Sequence, residues 1–366
     1  MKISSTISLT LVILLVTGVV ACNALSVPAA NYPRDTLQTV FENTLDDKSP
    51  VGIVGAVRYP DGRIDVAAAG MSTETDALTT DMALGLGSAT KTFTAALIFR
   101  LVDQGVLSLD DTLADLVPDV VGPNIPGNIT VRHLLEHSSG LYDPITDSVI
   151  EEVLANPDKR YSIESQIDRM QAPIAEVGSI HSYSNMNYML LGHIIETATG
   201  QSYDAVLRNE ILDPLELDSI FLGGFEELRG EVGHSWVNGE SLATMSQNGI
   251  GTMAWASGAL FATPADATAW FATLFGGDVL STASLAEMLT FFSGEDDDFG
   301  RGIFRTQRDG RTLYFHTGQT ISYNSTLVYD AETGVTVAVI ANHMDSPDTT
   351  PIAFQLVSNA ASSLSK

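Results

Sequence analysis

Two runs of apolar and β-branched residues lie between positions 51 and 70, on either side of Pro60-Asp61-Gly62. Such runs predict β-strands, and a turn of this composition between them predicts a hairpin. Near the C-terminus, residues 312–315, 323–329 and 335–342 have the same strand-like character. The chain is therefore predicted to contribute strands to its fold from both ends.

Helical spacing dominates between these strands. One helix is predicted to start at Ser88 and stop at Gly105, a second covers residues 187–198 and stops at Gly200, and a last amphipathic helix follows from Pro351. The apolar side of the first helix consists of Phe93, Ala96, Leu97, Leu101 and Val102.

Strands at both ends with helices between them predict an α+β fold. We expect one antiparallel sheet region from residues 34–105 and 256–366, and an inserted, mainly helical region from residues 106–255. Together they would form one continuous unit, residues 34–366. No internal repeat or low-complexity tract suggests another organisation.

The N-terminus has the pattern of a targeting segment. Lys2 precedes an apolar run over residues 9–20, and Val19-Val20-Ala21-Cys22 resembles a bacterial lipobox, whose cysteine is lipidated. We therefore expect residues 1–22 to be a signal peptide, residues 23–33 a tether, and the protein to be exported to the periplasm or cell surface and anchored at Cys22. An ordinary cleaved signal peptide that happens to contain a cysteine is the alternative.

Composition and charge narrow the classes of partner. The 366 residues are 45% hydrophobic, enough for a substantial core, and the formal net charge is −27. This charge disfavours nucleic acid, and it limits membrane contact to the lipid anchor. Cys22 is the only cysteine, so the body has neither disulfides nor a catalytic thiol. A monomer is expected.

Ser88 precedes Lys91 by three residues at the predicted helix start. This spacing places a hydroxyl and an amine on one face, one turn apart, where the lysine can take the proton of a serine nucleophile. The same spacing recurs as Ser363-Leu364-Ser365-Lys366 at the C-terminal end, where fraying is expected. The motif alone therefore identifies nothing, and the surrounding sequence must support it.

That support comes from motifs in a fixed order along the chain. Tyr183-Ser184-Asn185 and His316-Thr317-Gly318 follow the Ser88 motif, and with them the chain resembles the serine β-lactamase and penicillin-binding superfamily. The branch that it resembles holds class C β-lactamases, D-Ala-D-Ala carboxypeptidases and related esterases. The segments that carry the resemblance are 87–94, 101–111, 129–141, 183–188, 211–215 and 316–318.

The resemblance implies a β-lactamase/transpeptidase-like fold with the active site between its two regions. It implies a serine hydrolase that needs no metal or organic cofactor, with Ser88 as nucleophile, Lys91 as base and Tyr183 as proton shuttle. Because a phenol titrates near pH 10, Tyr183 is expected to need a cationic neighbour such as Lys91. Asn185 would bind the substrate carbonyl, although it also fits an N-cap of the next helix.

The third motif implies a strand that positions substrate by β-augmentation, through His316, Thr317 and Gly318. The backbone N–H groups of Gln319 and Ser88 would form the oxyanion hole. Many β-lactamases carry lysine where this chain has His316, and a neutral histidine attracts a substrate carboxylate less. Two arginines upstream, Arg301 and Arg305, are candidate carboxylate anchors, although ordinary surface positions are the simpler interpretation.

We therefore expect a small peptide, β-lactam or ester as substrate, and most of all a peptide ending in D-amino acids, as in bacterial cell walls. An esterase or weak β-lactamase is the alternative on the same scaffold. A penicillin- or peptidoglycan-binding sensor that is acylated without turnover is the alternative from another class.

One rival interpretation is a metal site. Residues 133–137, His-Leu-Leu-Glu-His, match a metalloprotease pattern in which two histidines lie at i and i+4 on a helix. Zinc would also need a third protein ligand, and nothing in the sequence marks one. The serine motifs explain more of the chain, so the sequence predicts no metal site.

Overall fold

The structure is a computed structural model that describes residues 37–45, 51–237, 239–292, 298–344 and 347–364. The predicted signal peptide, Cys22 and the tether lie outside the described residues, as does Lys366 of the second Ser-x-x-Lys copy. Within the described segments, no helix is long and apolar enough to span a bilayer.

Seven antiparallel strands form the main sheet, in the order β2-β1-β12-β11-β10-β9-β8. A smaller sheet has the order β3-β7-β4, and β5 pairs with β6. The strands are β1 (Ile53–Arg58), β2 (Ile64–Ala69), β3 (Leu84–Gly85), β4 (Phe221–Leu222), β5 (Trp236–Val237), β6 (Glu240–Ser241), β7 (Leu260–Ala262), β8 (Asp298–Phe299), β9 (Phe304–Arg308), β10 (Arg311–Gln319), β11 (Asn324–Asp330) and β12 (Thr336–Ala341).

Strands from the two ends of the chain meet in the middle of this sheet. The β1–β2 hairpin was predicted, and β1 pairs with β12 in a register that matches Ile53 with Ala341 and Arg58 with Thr336. The C-terminal strands predicted from residues 312–342 are β10, β11 and β12. The prediction of one antiparallel sheet built from both termini is therefore confirmed.

Twelve helices are described. They are α1 (Leu37–Thr44), α2 (Thr90–Asp103), α3 (Leu113–Leu116), α4 (Val131–Leu135), α5 (Asp147–Ala155), α6 (Ile163–Ile167), α7 (Asn185–Thr199), α8 (Tyr203–Leu207), α9 (Asn248–Ala254), α10 (Pro264–Gly276), α11 (Thr282–Met288) and α12 (Thr349–Leu364). Single 3-10 turns cover Gly87–Ala89, Pro118–Val120 and Trp255–Ser257, and a π-helical turn covers Arg208–Leu212.

The main sheet is buried on both faces, as β12 shows. Its residues alternate between two cores: Val337 and Val339 belong to the core that contains Phe41 of α1 and one side of α12, whereas Ala338 and Ile340 belong to the core that contains α2, α7 and α10. Since successive strand residues point to opposite faces, burial of both faces requires an uninterrupted apolar strand. The larger core lies between the sheet and the helices, and it is this core that surrounds α2.

α2 is an interior helix. Eleven of its fourteen residues are buried, and Phe93 stacks on Trp270 with ring centroids 4.1 Å apart. The predicted stop at Gly105 is present, with φ of +69°. The helix proper starts at Thr90 rather than at Ser88, because residues 87–89 form a 3-10 turn. Ser88 therefore lies in a tight turn at the entrance to a buried helix.

The second motif, Tyr183-Ser184-Asn185, lies at the start of α7. This helix was predicted over residues 187–198, and it runs from Asn185 to Thr199, with Gly200 in the left-handed region at φ of +68°. Ser184 is the N-cap residue, and Asn185 is the first helical residue. The N-cap interpretation of Asn185 is therefore wrong, and its side chain is directed to other partners.

Candidate active site

Ser88 lies where three segments of the fold converge. Its 3-10 turn follows β3, and Gly87 allows φ of +52° there, a conformation that a side chain at that residue would strain. Ser88 is partly exposed as a residue, and its hydroxyl contacts two titratable groups. Lys91 Nζ lies 3.1 Å from Ser88 Oγ, and the Tyr183 hydroxyl donates to Ser88 Oγ at 2.8 Å.

Lys91 has no solvent exposure at all. Its Nζ also donates to Asn185 Oδ1 at 2.8 Å and to the backbone carbonyl of Ser257 at 2.7 Å. Burial lowers the pKa of Lys91 to about 7, although the Asp143 carboxylate acts in the opposite direction. A substantial fraction of Lys91 is therefore neutral near neutral pH.

The three contacts of Lys91 determine where its lone pair points. A neutral amine has two N–H groups and one lone pair, and the oxygens of Asn185 and Ser257 can only accept. These two acceptors use both N–H groups, so the lone pair faces Ser88 Oγ. In this neutral form the Ser88 hydroxyl donates to Lys91 and accepts a hydrogen bond from Tyr183, whereas in the ammonium form Nζ donates to Ser88 Oγ.

Tyr183 is neutral in this arrangement. Burial raises the pKa of Tyr183 well above its usual range, and the hydrogen bond to Ser88 offsets only part of that effect. Lys91 Nζ does lie 4.9 Å from the centre of the Tyr183 ring. The expected lowering of the phenol pKa by this neighbour is nevertheless wrong, because desolvation dominates.

Asn185 connects Lys91 to a carboxylate that the sequence analysis missed. Its Nδ2 donates to Asp143 Oδ2 at 2.9 Å, and its backbone N–H donates to the same oxygen at 3.2 Å. Burial raises the pKa of Asp143, and hydrogen bonds from Ile145 and Asn185 partly counter this. Asp143 follows the matching segment 129–141 by only two residues, which was the one available signal.

The end of β10 lies directly against the Ser88 turn. A Cβ atom on Gly318 would stand 1.9 Å from the carbonyl oxygen of Leu86, and one on Gly87 would stand 2.7 Å from the backbone nitrogen of Gln319. Both positions therefore require glycine. The structure thus brings the backbone of Gln319 next to the Ser88 turn.

β10 lacks a strand partner on its β9 side beyond Phe315, among the strands described. β9 pairs with β10 from Arg311 to Phe315, whereas β11 pairs with it as far as Gln319. The β9 side of residues 316–319 therefore has no strand partner among the strands described. An extended peptide could add to the sheet there.

His316 on this strand is buried, with 2% of its surface exposed. Its Nδ1 lies 2.6 Å from the carbonyl oxygen of Thr317, which assigns the proton to Nδ1. Burial, and then the charge of Lys91, lower the pKa of His316 to about 3. The prediction that His316 is neutral at pH 7 is confirmed.

The two candidate carboxylate anchors are both engaged with carboxylates of the protein. Arg301 is 3% exposed and pairs with Glu136 at 2.6 Å, so the surface interpretation is wrong for this residue. Arg305 pairs with Asp298 across β8 and β9, also at 2.6 Å. Neither arginine is available to a substrate without breaking an ion pair.

The metalloprotease pattern does not form a metal site. α4 ends at Leu135, and His137 has φ of +53°, so the two histidines do not share a helix face. His133 Nδ1 accepts from the backbone N–H of Thr130, and Glu136 pairs with Arg301. No group of three metal-ligating side chains occurs in the described segments.

Comparison with known proteins supports the superfamily resemblance that the sequence motifs predicted. The family model Beta-lactamase matches residues 37–362. Over 317 residues, the chain is 30% identical to an Escherichia coli (strain K12) protein provisionally named a D-alanyl-D-alanine carboxypeptidase, and the match covers 75% of this chain and 72% of the relative. It is also 32% identical to Penicillin-binding protein 4 of Amycolatopsis lactamdurans over 167 residues, which are 43% of this chain and 41% of that protein.

Among solved structures, a D-stereospecific amidohydrolase from Streptomyces sp. superimposes with a TM-score of 0.76. It shares 26% sequence identity, and the match covers 86% of this chain and 96% of that one. The predicted superfamily resemblance and the predicted β-lactamase/transpeptidase-like fold are therefore confirmed.

Proposed function

This chain belongs to the Beta-lactamase family, and from that premise we propose that it is a serine hydrolase that forms a covalent acyl-enzyme on Ser88. One observation carries the proposal. Ser88 Oγ contacts both the amine of Lys91 and the phenol of Tyr183, and the pKa of Lys91 is lowered to about 7. The Ser88 hydroxyl is thus in contact with both a candidate base, Lys91, and a candidate acid, Tyr183.

In the acylation step, Ser88 Oγ attacks the substrate carbonyl carbon, and its proton moves to the lone pair of Lys91. The carbonyl π electrons move onto oxygen and give a tetrahedral oxyanion. The backbone N–H groups of Ser88 and Gln319 would stabilise this charge, and the close approach of Gln319 to the Ser88 turn supports the pairing.

Collapse of the intermediate breaks the bond to the leaving group, whose atom takes the phenolic proton of Tyr183. The Lys91 ammonium then returns a proton to the phenolate, so both side chains regain their resting states. Water attacks the ester in the second step, with proton transfers in the reverse direction. Because its pKa is raised, the Tyr183 phenol remains protonated until the leaving group departs.

The favoured substrates are peptides that end in D-amino acids, as in cell-wall stem peptides. Two observations support this choice. Residues 316–319 have no described strand partner on the β9 side, where an extended peptide could pair. The compared proteins bear the names of a D-alanyl-D-alanine carboxypeptidase and a D-stereospecific amidohydrolase. Asn185 would contact the substrate carbonyl, and His316, Thr317 and Gly318 would position its backbone.

The neutral state of His316 favours a second candidate, an esterase or amidase for substrates without a free carboxylate. Arg301 and Arg305 are both engaged in ion pairs and His316 is neutral, so none of these three candidate anchors offers a free cation to a carboxylate. D-Alanyl-D-alanine and its C-terminal amide form a matched pair for this question. Higher kcat/KM on the free acid supports the carboxypeptidase, and higher kcat/KM on the amide supports the second candidate.

Whole-protein mass spectrometry with penicillin tests the mechanism itself. We expect a covalent adduct on Ser88 in the wild type and none in Ser88→Ala. Rapid release of opened drug indicates a β-lactamase, and a stable adduct without turnover of any peptide, amide or ester indicates a sensor. Hydrolysis that survives in Ser88→Ala would refute the serine mechanism.

We also propose that the protein is exported and lipidated at Cys22, which the apolar run before this cysteine supports. Labelling of expressing bacteria with a fatty-acid analogue should mark the wild type and not Cys22→Ser. Export of an unlabelled wild-type protein would favour the ordinary signal peptide instead.

A further inference from the structure

His137 is the last residue of the His-Leu-Leu-Glu-His pattern at residues 133–137, which does not form a metal site. Its imidazole packs against the ring of Tyr183. We propose that His137 is a positioning residue that holds the Tyr183 phenol against Ser88 and so governs protonation of the leaving group. The inference rests on the proposed role of Tyr183 as the proton donor, and it assigns His137 no contact with substrate.

Three hydrogen bonds tie the segment around Tyr183 to this one residue. The backbone N–H of Ser182 donates to the carbonyl oxygen of His137 at 2.8 Å. On the other side of Tyr183, the backbone N–H of Ser184 and Nδ2 of Asn187 donate to His137 Nδ1 at 3.3 and 3.0 Å. The residues before and after the tyrosine are therefore fixed by the same partner.

The imidazole ring also packs on the phenol itself. The rings of His137 and Tyr183 stack with centroids 4.3 Å apart and an interplanar angle of 26°. A stacked ring limits rotation of Tyr183 about its side-chain bonds, while the hydrogen bonds limit its backbone. Together they place the hydroxyl at 2.8 Å from Ser88 Oγ.

The protonation state of His137 agrees with a positioning role. Nδ1 accepts two hydrogen bonds, so the ring proton is on Nε2. Burial is the main cause that lowers the pKa of His137 well below its usual range, and the nearby charge of Lys91 acts in the same direction. The ring is therefore neutral near pH 7.

The main chain holds His137 in an unusual conformation to reach this place. Its φ of +53° lies in the left-handed region, which few residues other than glycine and asparagine adopt readily. The preceding residue, Glu136, is fixed by its buried ion pair with Arg301 at 2.6 Å. The first histidine of the pattern, His133, serves instead as a partner of the Thr130 backbone.

The role predicts a dependence on the leaving group. An amide needs a proton on its departing nitrogen, whereas an activated ester such as a p-nitrophenyl ester leaves without one. Displacement of the Tyr183 phenol should therefore slow hydrolysis of the amide and leave hydrolysis of the activated ester nearly unchanged. Loss of folded protein would instead lower both rates in the same proportion.

Four variants separate the contributions. His137→Asn keeps an acceptor near Nδ1 and tolerates the backbone conformation but removes the ring, and His137→Phe keeps the ring but removes the acceptor. His137→Ala removes both, and His133→Ala is the matched control within the same pattern. Each is assayed for kcat/KM on a D-alanyl amide and on the p-nitrophenyl ester of the same acyl group.

We expect His137→Ala to lower kcat/KM for the amide by about 10- to 100-fold and for the ester by less than about threefold. His137→Asn and His137→Phe should lie between this variant and the wild type, and His133→Ala should leave the amide-to-ester ratio unchanged. In the background of Tyr183→Phe, His137→Ala should change the ratio no further.

An unchanged ratio in soluble His137→Asn and His137→Phe would overturn the inference. These two variants decide the question if His137→Ala does not fold. Failure of the proposed function has a different signature, since Tyr183→Phe would then leave the amide-to-ester ratio at its wild-type value whatever happens at His137.

Discussion

Lys91 and Tyr183 both contact Ser88 Oγ, and burial shifts their pKa values in opposite directions. It lowers the pKa of the lysine to about 7 and raises that of the tyrosine. Both shifts favour the uncharged form. Lys91 can therefore accept a proton near neutral pH, whereas Tyr183 remains protonated.

The comparison teaches that one physical cause can produce both a base and an acid. No cation is needed to activate the tyrosine, because as a donor it only has to remain protonated. The Asp143 carboxylate raises the pKa of both groups, so it opposes burial at Lys91 and adds to burial at Tyr183. A change of charge at Asp143 should therefore alter the protonation of Lys91 near neutral pH, whereas Tyr183 stays protonated either way.

The largest expected effect is on the lysine side. Lys91→Met removes the base and should lower the acylation rate by about 10²- to 10⁴-fold, measured with penicillin or an activated ester. Lys91→Arg is the control, because a guanidinium stays protonated and should fail as completely. Activity retained by the arginine variant would show that neutrality at this position is not required.

The same methionine variant should be more stable than the wild type near pH 7. Burial holds the pKa of Lys91 at about 7, whereas an unfolded lysine titrates near 10.4, so folding releases a proton at a cost on the order of a few kcal/mol. Wild-type stability from this group therefore rises with pH between these two values. Thermal unfolding should show the advantage of the variant shrinking from pH 7 to pH 10.

Tyr183→Phe tests the other side of the comparison. We expect kcat/KM to fall about 100-fold on an amide and only a few-fold on a p-nitrophenyl ester, because only the amide needs a donated proton. Since the pKa of Tyr183 is raised, deprotonation of the phenol should not cut activity below about pH 10. A loss of activity between pH 8 and pH 9 that disappears in the phenylalanine variant would contradict the neutral donor.

Asn185→Asp, made in an Asp143→Asn background so that the new side chain does not face a second carboxylate, places a carboxylate within hydrogen-bonding distance of Lys91, where Oδ1 now lies at 2.8 Å. A nearby negative charge favours the ammonium, so the rise of kcat/KM with pH that begins near 7 should move to higher pH by about 1–2 units. The pH profile of acylation measures this directly. A profile that stays in place would mean that Lys91 does not set the rising limb.

The smallest effect is expected from Asp143→Asn, which should move the same limb the other way. Asp143 raises the pKa of Lys91, so its neutralisation should leave the amine unprotonated down to lower pH, by up to about one unit. Asparagine can still accept from Asn185, which keeps the geometry comparable. Opposite shifts from the two variants would show that charge, not packing, tunes the base.

Much of the fold was predictable because it depends on local patterns. The hairpin of β1 and β2, the three C-terminal strands, and the helix stops at Gly105 and Gly200 all follow from turn residues and from apolar spacing. The order of the motifs was sufficient to identify the family. The start of α2 was misplaced by two residues, because a 3-10 turn has no separate signature there.

Other features had no local signal. Asp143 and the carbonyl of Ser257 reach Lys91 from segments far apart in the chain. The pattern at residues 133–137 predicted a shared helix face, but the helix ends at Leu135. The three polar residues of the pattern contact different partners: His133 the Thr130 backbone, Glu136 the Arg301 side chain, and His137 the Asn187 side chain. A buried ion pair for Arg301 was likewise invisible, because nothing near it in sequence marks Glu136 as its partner.

Residue identity and short-range spacing were enough to mark the candidate catalytic side chains and the order of the main strands and helices. Which of those candidates are neutral, where their protons lie, and that His137 packs behind Tyr183 follow only from the three-dimensional packing. Protonation depends on how much water is removed around a group, and that is set by packing between segments as distant as Lys91, Tyr183 and Ser257.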